Sequence, residues 1–347
     1  MCVKKGFLED FKIGHVTDVE NGTGVTVIVA EKGATGGASI LGASPATRET
    51  DLLKDGKTVQ EINAVVLSGG SAFGLEASCG VMEWLFKRGY GYRAGKYRVP
   101  IVVGASLFDL EYKNFAYPKK EDGYRAASVA CAENFATGSI GAGTGATVGK
   151  ILGNARAMKG GLGTATYLSE EDGLQAAFIV AVNAVGDIIG TDGKIIAGAR
   201  IAGKFVNSKF IYDKMLPKSL KNKNTPTVEN AASPENAASP ENAASPENAA
   251  SVEKYGAFSE NKNIASLKNK NTTIGCLITN AKLTRAEANE IAEAAHKGYA
   301  AVTSPDHTPF DGDAVFTMAS GDIRGAFDKL KQLASTLAAQ AILSVFK

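Results

Sequence analysis

Asn271-Thr272-Thr273-Ile274-Gly275 joins a polar, repetitive segment to an apolar run that opens with a hydroxyl residue. A threonine placed there can serve as an amino-terminal nucleophile if the chain cuts itself before Thr272, because the freed α-amine then sits beside its own Oγ as a base. Thr273 is the competing hydroxyl, but one residue further into a strand its side chain points to the opposite face. Two acids stand downstream in Pro309-Phe310-Asp311-Gly312-Asp313-Ala314-Val315-Phe316. In extended backbone Asp311 and Asp313 project to one face, a paired carboxylate site able to orient an ammonium or a hydroxyl, bind a cation or decorate a turn. Lys150 closes the run Thr147-Val148-Gly149-Lys150. Most lysines are solvated surface charges, yet one delivered by a tight loop beside apolar residues is partly desolvated and can act on a nucleophile's proton.

Other chemistries find less support. The three histidines, His15, His296 and His307, lie in no H-x-x-E-H or H-E-x-x-H pattern, and no Gly-x-Ser-x-Gly elbow supplies a triad serine, so structural or surface roles are their default. Cys2, Cys79, Cys131 and Cys276 are isolated and suggest neither a disulfide framework nor a zinc site. Leu67-Ser68-Gly69-Gly70-Ser71-Ala72-Phe73-Gly74-Leu75 reads as a strand-turn-helix entry whose amides can hold an anion or a substrate carbonyl. Gly138-Ser139-Ile140-Gly141-Ala142-Gly143-Thr144-Gly145 has Ala146 where a dinucleotide fingerprint has its third glycine and lacks a Walker ending. Tight turns that let backbones approach closely are the plainer reading of both.

The elements that must position these residues follow from periodicity. With 347 residues, 44% of them hydrophobic, the chain can bury one large domain or two closely joined ones. Gly24 to Ala30 and Ala64 to Leu67 read as strands, Ser71 to Arg88 and Asp122 to Phe135 as helices, with Trp84 a packing residue. Ile274 to Thr279 reads as a buried strand, and Thr284-Arg285-Ala286-Glu287 as a capping box opening a helix to about Lys297. Phe327, Leu330, Leu333, Leu337, Ala338 and Ile342 recur at helical spacing between Gly325 and Phe346. Between these regions Glu-Asn-Ala-Ala-Ser-Pro runs three times from Glu229, with a fourth copy cut short at Ser251. Such a repeat offers no apolar burial to offset chain entropy, so about 217–270 is expected to be a loop inserted into one fold.

Charge and termini narrow the partners. Lysines and arginines number 38 against 36 acids, a formal charge of +2, and no basic block is interleaved with aromatics, which disfavours nucleic acid. The start lacks an apolar signal core and no apolar run approaches the roughly 20 residues of a membrane helix, so the expectation is a soluble cytoplasmic protein without a membrane partner.

Taken in order, Leu67 to Leu75, Gly141-Ala142-Gly143-Thr144-Gly145-Ala146, Lys159-Gly160-Gly161-Leu162-Gly163, Asn271-Thr272-Thr273-Ile274 and Asp311-Gly312-Asp313 make the chain resemble the L-aminopeptidase/D-esterase family. That family includes β-peptidyl aminopeptidases and the nylon-oligomer (6-aminohexanoate-oligomer) endo-hydrolase, whose threonine branch is the nearer match. The resemblance implies an α/β four-layer αββα sandwich of the N-terminal-nucleophile-like type. It also implies a precursor cut between Asn271 and Thr272 into a large chain, 1–271, and a small chain, 272–347, which stay together as one domain and assemble into homo-oligomers. By the same resemblance Thr272 is the nucleophile, Asn183 the oxyanion asparagine, Lys150 a lysine near the nucleophile, and Asp311 and Asp313 the pair holding its amino group. Where these last positions are Ser and Glu in serine-type relatives, Asp-Gly-Asp stands here, which leaves a preference for free amino termini open.

The function expected is therefore a self-processing amide or peptide hydrolase acting through a threonyl acyl-enzyme on a small peptide, amino-acid amide or amide oligomer, with no metal or organic cofactor. Two alternatives are an acyltransferase of the ornithine acetyltransferase type and a non-cleaving binding protein that keeps the fold.

Overall fold

The computed structural model describes residues 6–215 and 271–347; the repeat-bearing run at 217–270 lies outside the described residues. Eight principal strands are β1 (Lys12–Asp18), β2 (Thr23–Ile40), β3 (Glu61–Ser68), β4 (Val102–Ser106), β5 (Gly161–Leu168), β6 (Gln175–Val182), β7 (Ile274–Ala281) and β8 (Ala314–Ile323). Four principal helices are α1 (Ala77–Lys87), α2 (Lys120–Ser128), α3 (Arg285–Val302) and α4 (Phe327–Ser344). The strands hydrogen-bond in the order β5-β6-β7-β8-β2-β3-β4, with Thr47–Arg48 beyond β4 and β1 beside β2.

β2 is long enough to serve two layers. Its first part pairs with β1 and β3, its last part with β8, and the register breaks between Val29 and Ala34. Alternation along the strands then sorts the core into three layers of contact. On β6, Ala176, Phe178, Val180 and Val182 meet α3 and α4, whereas Ala177, Ile179 and Ala181 face inward. On β2, Val25, Val27 and Val29 meet α1 and α2, whereas Ile28 and Ala30 face inward. The inward residues, among them Leu67, Val103, Cys276, Phe316 and Met318, form one cluster between the two halves of the sheet. Helices, sheet, sheet, helices: the chain is the four-layer αββα sandwich.

Local expectations differ from the structure at three places. The predicted Ser71–Arg88 helix is broken, because the Gly74 carbonyl accepts Ser68 Oγ at 3.1 Å and the Ser78 amide turns to Leu75 O at 3.2 Å. The predicted Asp122–Phe135 helix stops at Ser128, because Cys131 pairs with Ile13 at the edge of β1, its amide donating to Ile13 O at 3.1 Å. The helix opened by the Thr284/Glu287 capping box runs past Lys297 to Val302, its Ala288, Ile291, Ala292, Ala295 and Tyr299 packed on the sheet. Among the described residues, no helix is long and apolar enough to cross a membrane.

Candidate active site

Three neighbouring strands, extended past one end of the sheet, bring the site together. Antiparallel β6 and β7 pair Ala181 with Ile274, so two residues further on Asn183 meets Thr272, whose amide donates to Asn183 O at 3.1 Å. Parallel β7 and β8 pair Ile274 with Ala314, so Asp313 meets Thr273 and Asp311 bridges Asn271. Residues distant in sequence thus converge because their strands are adjacent.

The Asn271–Thr272 peptide is held on every side. Gly312 N donates to Asn271 O at 3.0 Å, Asp313 Oδ1 accepts the Thr273 amide at 2.6 Å, and Ala314 N donates to Thr273 O at 3.2 Å. The Thr272 hydroxyl itself donates to the Asn271 carbonyl oxygen. Asn271, Thr272, Asp311 and Asp313 are all buried. Gly312 has to be glycine here: a Cβ would meet Ser44 O at 2.5 Å and Thr272 Oγ1 at 3.0 Å.

Asn183 and Lys150 form the opposite wall. Asn183 Oδ1 accepts the Thr147 amide at 3.0 Å and Lys150 Nζ at 2.7 Å, which fixes the orientation of the side-chain amide. Its Nδ2 is thereby aimed at Phe108 O, 3.2 Å away. Lys150 Nζ also donates to Asn183 O at 2.8 Å, the same carbonyl that receives the Thr272 amide. Burial pulls the Lys150 ammonium down to about 7 against the opposing pull of Asp311, Asp109 and Asp313. Burial, with the charge of Asp313 behind it, pushes the Asp311 carboxyl well above the usual carboxylate range, although Thr308 N and Oγ1 donate to its Oδ2 at 2.8 and 2.6 Å. The two aspartates thus share the site but serve different partners.

A left-handed glycine presents Lys150. Gly149 has φ +70°, its amide donates to Gly186 O at 2.9 Å, and a Cβ there would overlap the Ala199 nitrogen and Gly198. That wall cannot retreat, because buried Asp187 accepts Ala199 N at 3.1 Å and Ser208 N and Oγ at 2.6 Å each. Gly149→Ala is expected to lower unfolding free energy by about 2 to 5 kcal/mol, from the left-handed backbone and the overlap together. Urea denaturation reads this; a loss under about 0.5 kcal/mol, the scale of an ordinary surface change, would show that the loop relaxes freely.

The glycine-rich motifs act as close-approach turns. Gly70 N donates to Asp109 Oδ1 at 2.6 Å, Thr23 Oγ1 donates to Oδ2 at 2.9 Å, and a Cβ at Gly69 would overlap that carboxylate. Burial raises Asp109 to about 6. Lys159 Nζ donates to the carbonyls of Gly143 and Ala146 at 2.7 and 2.9 Å and so staples the second glycine run, its own ammonium drawn down by burial to about 8. A cleft of about 200 Å³ opens between these parts, lined by Phe108, Asp109, Tyr112, Lys150, Met158 and Lys159. Asp109 carries no local pattern in the sequence, and only the fold places it against two glycine turns.

The histidines divide. His15 is held by Thr26 Oγ1 at 3.0 Å, and His296 by Ser39 O at 3.1 Å with burial drawing it down to about 4. His307, by contrast, donates from Nδ1 to Asp313 Oδ2 at 2.8 Å. Residue pattern leaves it in the background; its position six residues before Asp313 is the signal that marks it.

The fold is that of the N-terminal-nucleophile hydrolases. An L-aminopeptidase D-Ala-esterase/amidase from Ochrobactrum anthropi, described as a variant of that fold, superposes with a TM-score of 0.62 at 14% identity over 99% of this chain and 87% of its own. A β-aminopeptidase from a Burkholderia species gives 0.62 at 16% identity, over 99% and 87%. Residues 8–347 match peptidase family S58, and the chain belongs to that family. An uncharacterized aminopeptidase of Mycobacterium tuberculosis (strain ATCC 25618 / H37Rv) is 34% identical over 301 residues, 86% of this chain and 74% of the relative. A 6-aminohexanoate-oligomer endohydrolase of Paenarthrobacter ureafaciens is 25% identical over 262 residues, 75% and 61% of the two chains. These relatives support an amide-hydrolysing enzyme.

Proposed function

We propose that the chain cuts its own Asn271–Thr272 bond and then hydrolyses amide bonds of small peptides, amino-acid amides or amide oligomers through an acyl-enzyme on Thr272. The observation that carries this reading is the clamped Asn271–Thr272 peptide, with the Thr272 hydroxyl on the Asn271 carbonyl and a desolvated Lys150 one carbonyl away. In the first step Oγ bonds to the Asn271 carbonyl carbon, the C–N bond breaks, and the hydroxyl proton ends on the Thr272 nitrogen. Water then hydrolyses the ester, leaving Asn271 as a carboxylate and Thr272 as a free amine beside its own hydroxyl.

In the cut enzyme Thr272 Oγ bonds to the substrate carbonyl carbon as its proton passes to neutral Lys150, the amide C–N bond breaks with that proton delivered to the leaving amine, and water hydrolyses the resulting ester. Asn183 Nδ2 supplies a donor for the oxyanion, exchanging its Phe108 carbonyl partner for the substrate oxygen. Asp311 balances the new α-ammonium, while Asp313 keeps its backbone hold on Thr273. The cleft that Lys150 lines receives the substrate.

Denaturing electrophoresis of the purified protein is expected to separate chains of roughly 28 and 8 kDa, in proportion to a cut after residue 271 of 347. Incubation with amino-acid p-nitroanilides, with and without an acceptor amine, then divides hydrolysis from acyl transfer. A protein that stays at 36.0 kDa and releases no nitroaniline overturns the reading.

A further inference from the structure

We infer that His307 is a positioning residue for the nucleophile, acting through Asp313: its imidazole fixes the carboxylate that anchors the Thr273 amide and so sets where Thr272 Oγ lies. This rests on the proposed role of Thr272. Both oxygens of Asp313 are committed, Oδ1 to the Thr273 amide at 2.6 Å and Oδ2 to His307 Nδ1 at 2.8 Å. An ionised carboxylate only accepts, so Nδ1 carries the proton in this bond. The Asp313 side chain is nearly fully buried and that of His307 is 18% exposed, which keeps water from replacing the imidazole.

The imidazole is itself held from behind by the helix that follows the nucleophile strand. Tyr299 stacks on its ring at 6.2 Å between centroids and 25° between planes, and His296 meets it edge-on at 4.9 Å. Both come from α3, whose Tyr299 hydroxyl also lies against Gly275 of β7, so one helix touches the nucleophile strand and backs the residue that steers it. Backbone geometry marks the position too: His307 has φ +42°, a conformation that costs a side-chain-bearing residue energy and is most tolerated by Gly, Asn, Asp and His.

Scission makes this bond matter more. Before the cut, Thr272 is tethered through the Asn271 peptide, whose carbonyl is held by Gly312 N. Afterwards that tether is gone, and the Asp313 bond to Thr273 and the Ala314 bond to its carbonyl hold the residue just after the nucleophile. His307 is therefore expected to influence turnover by the cut enzyme at least as much as the cut itself, and kcat more than KM.

Gly and Asn both accept the left-handed backbone, but only Asn offers a donor in place of Nδ1. His307→Gly is expected to lower kcat and the self-cleavage rate by 10-fold to 100-fold, the order of loss a small misplacement of a reacting atom causes. KM is expected to stay within about threefold, and His307→Asn to recover most of the loss. On an Asp313→Asn background, His307→Gly is expected to add no further loss. An independent arm reads amide hydrogen exchange at residue 273 in the uncut Thr272→Ala protein, where His307→Gly should speed exchange at least 10-fold and His307→Asn should not. This arm does not depend on Thr272 reacting, so a protein that never cuts overturns the proposed function while leaving the positioning role to be judged by exchange. Unchanged exchange with wild-type kcat in His307→Gly overturns the inference, as does equal loss in the Gly and Asn variants.

Discussion

Thr272→Ala is expected to leave a single chain of 36.0 kDa and to abolish amide hydrolysis, a loss on the order of 10⁴-fold or more, as for removal of a nucleophile from a preorganised acyl-transfer site. The reason lies in the two functions that one residue combines: without Oγ the Asn271 carbonyl meets no internal attacker, and without the cut no α-amine appears beside a hydroxyl. Thr272→Ser keeps the oxygen and is expected to cut and turn over, more slowly because a serine lacks the methyl that restricts χ1. Thr273→Ala separates the two hydroxyls. Thr273 reaches the site through its backbone, donating to Asp313 and accepting from Ala314, so its side chain is expected to be expendable for cleavage. Intact mass and nitroanilide turnover on the three variants decide the matter. Cleavage that persists in Thr272→Ala and vanishes in Thr273→Ala would transfer the nucleophile to Thr273.

Much of the fold is legible in the sequence, for a physical reason in each case. The passage from a polar run to Ile274-Gly275-Cys276-Leu277 marks a strand start whatever the strand's neighbours are, and Thr284 with Glu287 marks a helix start because both capping bonds are local. What local pattern does not carry is which strands lie side by side. That Asn183 faces Thr272 follows from β6 pairing with β7, and that Asp313 reaches Thr273 follows from β7 pairing with β8. On residue pattern alone Asn183 is one polar residue at a strand end, and the family resemblance singles it out. The same holds for the pair Asp311 and Asp313. Spacing places them on one face, whereas the turn at Gly312 sends one to Thr308 and the other to Thr273 and His307. Helix ends set by tertiary partners, as at Ser128, are equally out of reach of local pattern, since Cys131 leaves the helix to pair with a strand far off in sequence.

Lys150→Arg is expected to lose catalysis nearly as fully as Lys150→Met, and this separates a proton-transfer role from a merely electrostatic one. Lys150 is buried, its ammonium is drawn down to about 7 by desolvation, and Asn183 O joins its Nζ to the Thr272 amide, so in the proposed mechanism the fraction that is neutral near pH 7 serves as acceptor of the Thr272 proton. Arginine keeps the charge and cannot release it, while methionine keeps the length and removes the nitrogen. A loss of 10²-fold to 10⁴-fold in kcat is expected for both, the range of general acid–base catalysis. In the wild type, turnover should rise with pH through about 7 as Lys150 becomes neutral. The stability consequence has a definite sign. Folding lowers the Lys150 value from 10.5 to about 7, so between those limits the unfolded chain binds more protons and stability rises with pH over that window. The raised Asp311 acts oppositely at lower pH: above the ordinary carboxylate range the folded chain holds a proton the unfolded chain has released, and stability falls as pH climbs toward its folded value. Lys150→Met removes its share of the upper slope and leaves that of Lys159, drawn down to about 8, so the melting temperature gained between pH 7 and about 10 should be clearly smaller in the variant, with the part between pH 7 and about 8 lost most completely. Should Lys150→Arg retain wild-type turnover, or Lys150→Met keep the same rise in stability, the lysine serves the site as a fixed charge and the proton of Thr272 leaves by another route, the freed α-amine being the group placed to take it.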